Sequence, residues 1–84
     1  MGNKIFRQVV EELDFVGDIL SSGMTKKAVR NEGALPETVS REEMKDAIQN
    51  HIEPALHDFV SKKKARSWRK KIFKKLDNME DNHG

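Results

Sequence analysis

Residues 62–76, KKKARSWRKKIFKKL, contain Lys62, Lys63, Lys64, Arg66, Arg69, Lys70, Lys71, Lys74 and Lys75, and no acidic residue. Nine cations on about four helical turns suit one kind of chemistry above others, the neutralisation of a polyanion with release of its counterions. The rest of the chain has the opposite sign. Residues 1–60 carry seven bases against eleven acids, and residues 77–84 add three more acids. The formal charge of +2 therefore hides a strongly dipolar molecule, whose positive end implies a negatively charged partner.

The block admits four readings. As a nucleic-acid contact, its bases engage phosphates and Trp68 either anchors the helix or stacks on an unpaired base. As a membrane-surface helix, it sets Lys beside Trp, Ile, Phe and Leu. As a ligand for an acidic protein groove, it offers Trp68, Ile72 and Leu76 at i, i+4 and i+8. The plainest reading is a surface helix whose long basic side chains cover the core and balance the acidic half of the same fold. Nine bases without one interspersed acid are unusual for a purely structural surface, and the first reading is preferred. Lys26, Lys27 and Arg30 stand as an accessory basic cluster.

Catalytic chemistry finds little support. His51 and His57 are six apart, a spacing that points them to different helix faces, whereas a shared metal favours three or four. One half-buried and one surface histidine is the expected outcome. Glu11-Glu12 and Glu42-Glu43 are adjacent pairs, so their carboxylates diverge on a helix. The chain has no Cys, no Tyr, no glycine-rich phosphate loop and no Gly-x-Ser-x-Gly elbow. No catalytic residue, metal or cofactor is expected.

The 84 residues make one small domain, taken as 1–76 with a polar, frayed tail at 77–84. Apolar and charged residues are each 36%, so the core must be thin and a homodimer would help to stabilise it. No apolar run approaches the roughly 20 residues of a membrane span. Lys4 and Arg7 interrupt any signal-peptide core, and Phe6 stands where the myristoylation pattern has Ser or Thr. Together with the lack of cysteine, this fits an intracellular, cytoplasmic protein.

Helical periodicity dominates the chain. Phe6, Val9, Val10, Leu13, Val16 and Leu20 share one stripe, widened by Phe15 and Ile19, and predict a first helix from Asn3 to Leu20. Ser21-Ser22-Gly23 should stop it through a left-handed glycine. Thr25 would cap a short helix, Lys26 to Asn31, ending at Gly33, and Leu35-Pro36 forces an extended connection. Ser40 and Glu43 form a capping box. Behind it Met44, Ala47, Ile48, Ile52, Ala55, Leu56, Phe59 and Val60 keep helical spacing, with Pro54 either kinking the helix or starting a new one.

The stripe Ala65, Trp68, Ile72, Leu76 and Met79 is out of phase with that one by roughly 130°. The chain therefore either breaks near Ser61–Lys64 and folds back, burying Trp68, or runs straight and exposes a second apolar face; the break is preferred. The first helix, the short helix and the Ser40 helix faintly suggest a helix-turn-helix, but the linker Gly33–Val39 is too long for its turn, and no recognition helix is assigned. The expectation is an all-α bundle of three to four helices with a basic amphipathic C-terminal helix. Its expected role is non-enzymatic: nucleic-acid binding (DNA or RNA) or regulation. The alternatives are a self-associating adaptor on an acidic protein partner and, third, an anionic membrane surface.

Overall fold

The first helix begins at Asn3, whose side-chain oxygen accepts a hydrogen bond from the Phe6 amide at 2.7 Å. The computed structural model describes residues 3–79, and every regular element among them is helical. Helix α1, Lys4–Glu12, buries Ile5, Phe6 and Val9, and Leu13 follows them into the core.

The single helix expected from Asn3 to Leu20 does not form. After Leu13 a 3-10 turn, Asp14–Val16, leads to Gly17 at φ +102°, ψ 145°, and α2 starts afresh as Asp18–Asn31. That backbone region is nearly reserved for glycine, so Gly17 is the residue that permits the corner. The corner lets α2 double back on α1, which one straight rod cannot do.

Ser21-Ser22-Gly23 lies inside α2 and stops nothing. Ser21 and Thr25 are buried on its inner face, and their hydroxyls donate to the carbonyls of Asp18 (3.0 Å) and Ser21 (2.7 Å). Hydroxyls satisfied by the helix's own backbone can be buried at little cost. Thr25 is thus an interior residue, not a cap. With Ser21 turned inward, Ile19 and Leu20 are turned out, 89% and 51% exposed, and the expected stripe fails at its far end.

The end of α2 is as expected. Gly33 adopts φ +80°, its amide donates to the Arg30 carbonyl and that of Ala34 to Val29, the paired bonds of a Schellman motif. The connection that follows is tied down at Val39, whose carbonyl accepts from the Asn3 side chain at 2.8 Å. Asn3 therefore caps α1 and anchors a loop 36 residues away.

Helix α3, Arg41–Ala47, opens on the complete Ser40/Glu43 capping box. A π turn, Ile48–Ile52, joins it to α4, Glu53–Leu56, with Pro54 in the first turn of the latter. Pro54 has no amide to give, and the widened turn absorbs the lost bond without ending the rod. Met44, Ala47, Ile48, Ile52 and Leu56 are all fully buried, whereas Phe59, beyond the rod, is half exposed.

Ser61 caps α5, Lys62–Asp77, by accepting from the Lys64 amide. The chain breaks where the two stripes change phase. Ala65, Ile72 and Leu76 then fold onto the core. Arg69 pairs with Glu53, Lys45 with Asp77, and Arg41 with the Met79 carbonyl, so α5 runs antiparallel to α3 and α4. The radius of gyration, 11.6 Å, matches the roughly 11–12 Å of a close-packed chain this long and leaves no room for a projecting helix. Asp77 closes α5 and Met79 packs against the core; residues 80–84 of the expected polar tail lie outside the described residues. Counting α3, the π turn and α4 as one rod, the described residues form a small all-α bundle of four helices.

Candidate nucleic-acid interface

Folding divides the nine bases of α5 into two sets. Arg69 and Lys75 lie on the flanks nearest the core. Arg69 Nε stands 2.5 Å from a Glu53 carboxylate oxygen, and its guanidinium lies over the Phe73 ring, which Lys45 approaches as well. Lys75 Nζ donates to Glu12 Oε2 at 2.7 Å. These two cations are joined to the acidic half of the fold.

The other seven, Lys62, Lys63, Lys64, Arg66, Lys70, Lys71 and Lys74, are exposed, and none forms an ion pair with a described residue. At 100° per residue, Arg66, Lys70, Lys63 and Lys74 fall within about 80° on the side away from Ala65, Ile72 and Leu76. Lys71 and Lys64 continue this surface toward Trp68. The result is a positive face over residues 63–74, with Ala65, Ile72 and Leu76 turned the other way and Trp68 at its edge.

The start of α5 is electrostatically unfavourable. Helix N-termini carry partial positive charge and favour acids, yet the first turn here holds three lysines and no acid. The contrast with α3 is direct. There Ser40 is followed three residues on by Glu43, which completes the box; here Ser61 is followed by Lys64.

Trp68 is half-buried. Its indole Nε1 donates to the main-chain carbonyl of Glu12 at 3.0 Å, a group left without an intrahelical partner where α1 ends. Beside it lies an open groove of about 310 Å³ lined by Phe15, Val60, Lys64, Ser67, Trp68 and Lys71. No periodicity marks Phe15 for that place; the 3-10 turn Asp14–Val16 sets it beside α5.

The accessory cluster does not join this surface. Lys26, Lys27 and Arg30 are exposed on α2, which packs on α1, α3 and the π turn, whereas α5 packs on α1, α3 and α4. Of the histidines, His51 is half-buried with Nε2 2.7 Å from Glu32, and His57 is exposed. Among the described residues no three His, Cys, Asp or Glu side chains are grouped as metal ligands, and no helix is long and apolar enough to cross a membrane. Comparison with protein-family models, curated proteins and solved structures finds no match to this chain.

Proposed function

We propose that this protein is a small, non-enzymatic nucleic-acid-binding protein, of regulatory rather than catalytic type, that engages phosphates through the outer face of α5. The observation that carries the reading is the division of the basic block. Seven cations face solvent unpaired, while Ala65, Ile72 and Leu76 of the same helix are committed to the core. A helix that docks into an acidic groove or a lipid surface needs its apolar side free. Ile72 and Leu76, two of the three anchors such docking would use, are buried here, and freeing them would unfold the domain. A positive face of Lys63, Arg66, Lys70 and Lys74, set on the side away from Ile72 and Leu76, fits the charge of a phosphate backbone.

A mobility-shift or anisotropy titration over a salt series tests this. Log affinity should fall linearly with log salt, by about 0.9 per duplex phosphate neutralised. Changing Lys63, Arg66, Lys70 and Lys74 together to Gln should flatten the slope and leave the helical circular-dichroism signal intact. Absence of binding to duplex, single strand and structured RNA at low salt would overturn the proposal.

One further observation favours a second reading. Ile19, Leu20 and Phe59 expose apolar surface outside α5, which suits self-association or a protein partner, as in an adaptor. A concentration-dependent mass in sedimentation, lost on Ile19→Ser, would support it.

A further inference from the structure

We infer that the groove between Phe15 and Trp68 is a subsite for an unpaired nucleobase, so that the protein prefers single strands to duplex; this rests on the phosphate-binding reading above. The groove joins an apolar surface to a cationic one. Its apolar part is formed by Phe15, Val60 and Trp68, and the Phe15 side chain is 49% exposed although aromatic. Its rim is Lys64 and Lys71, both exposed and unpaired among the described residues, and no acidic residue lines it. An occupant must therefore offer an apolar, polarisable body together with negative charge.

A nucleotide of an unpaired strand has that form: a flat base that stacks on aromatic rings, flanked by phosphates one nucleotide apart. A base held in a duplex cannot enter, because both its faces are already covered. The groove is also continuous with the positive face, since Lys64 and Lys71 belong to both. A strand that follows Lys74 and Lys71 can place a base beside Trp68 without leaving its phosphate contacts. The indole is held in place by its bond to the Glu12 carbonyl, so little ordering is needed when a base arrives. The Ser67 hydroxyl at the groove edge can donate to or accept from a base without selecting among the four.

The test uses the whole chain and three probes: a short oligothymidylate, an abasic strand of the same length, and a duplex with the same number of phosphates. Trp68, the only tryptophan, reports directly. The oligothymidylate should quench its emission and bind about ten-fold more tightly than the abasic strand, the usual effect of one stacked base. Phe15→Ala and Phe15→Leu should both abolish that ratio, the second because leucine fills the space without a π face. Neither should alter affinity for the abasic strand or the duplex. Equal binding of the base-bearing and abasic strands would overturn the inference and leave phosphate binding standing, whereas no binding to any probe would remove both. Stronger quenching by an acidic amphipathic peptide than by the oligothymidylate would identify a protein occupant and overturn it too.

Discussion

The indole N–H of Trp68 closes the end of the first helix: it donates across 3.0 Å to the carbonyl of Glu12, 56 residues earlier in the chain. The same Glu12 accepts from Lys75 and Gln8 through its carboxylate, so one residue where α1 ends ties down two turns of α5. Trp68→Phe keeps most of the ring and removes the donor, leaving a helix-end carbonyl poorly satisfied. It should cost about 1–2 kcal/mol in a urea melt followed by circular dichroism. A loss of only a few tenths would mean that water replaces the indole freely.

Two glycines, one at the first corner and one inside the helix that follows it, should respond to alanine with opposite signs. Gly17 sits at φ +102°, where a β-carbon is strained, and Gly17→Ala should destabilise by about 1–3 kcal/mol. Gly23 is in mid-helix with open space around its α-carbon, and Gly23→Ala should stabilise by about 0.5–1 kcal/mol. A helix running unbroken to Leu20 and stopping at Gly23 would reverse both signs, so thermal melts of the two variants decide between the arrangements.

Asn3 does two jobs that substitution can separate. Asn3→Asp retains the oxygen that caps α1 but loses the donor to the Val39 carbonyl, and Asn3→Ala loses both. Alanine should cost about 2 kcal/mol, the sum of a cap and a buried hydrogen bond. Aspartate should restore helix capping yet leave the 32–40 loop more open, measurable as faster amide exchange near Val39.

At the start of α5 stability and binding should trade against each other. Lys64→Glu would complete the capping box with Ser61 and set an acid against the helix dipole, raising stability by about 0.5–1 kcal/mol. The same change removes a cation from the proposed contact and introduces a repelling charge, so nucleic-acid affinity should fall. A variant that gains stability and keeps full affinity would exclude Lys64 from the interface.

Arg69 and Lys70 are neighbours with different duties. Arg69→Gln breaks the partly buried pair with Glu53 and the contact with Phe73, and should cost about 1 kcal/mol with little change in affinity. Lys70→Gln should leave the melting temperature unchanged and weaken binding, reducing the salt slope by about one contact. Equal effects of the two on binding would contradict the division of the basic block.

What could be read from the sequence were features with causes a few residues apart. The capping box at Ser40 is a short-range exchange of two hydrogen bonds, and the break at Ser61 announced itself as a change of helical phase between two apolar stripes. The burial of Ala65, Ile72 and Leu76 followed from their spacing once the chain turned back. The corner at Gly17 left no such mark, because the apolar pattern from Phe6 to Leu20 keeps helical phase across it. Whether the chain goes straight or turns there depends on what α2 can pack against. Ser21 and Thr25 escaped notice for a related reason: polar side chains read as outward until a helix offers them its own carbonyls.

The basic block shows the same boundary. Sequence alone determines that nine cations lie together in residues 62–75 with no acid among them. Only the tertiary structure decides that Glu12 and Glu53 meet two of them, that seven remain facing water, and that Phe15 comes to lie beside Trp68. A charge is written in the residue, but its neutralisation depends on which distant carboxylate the fold brings within a few ångströms.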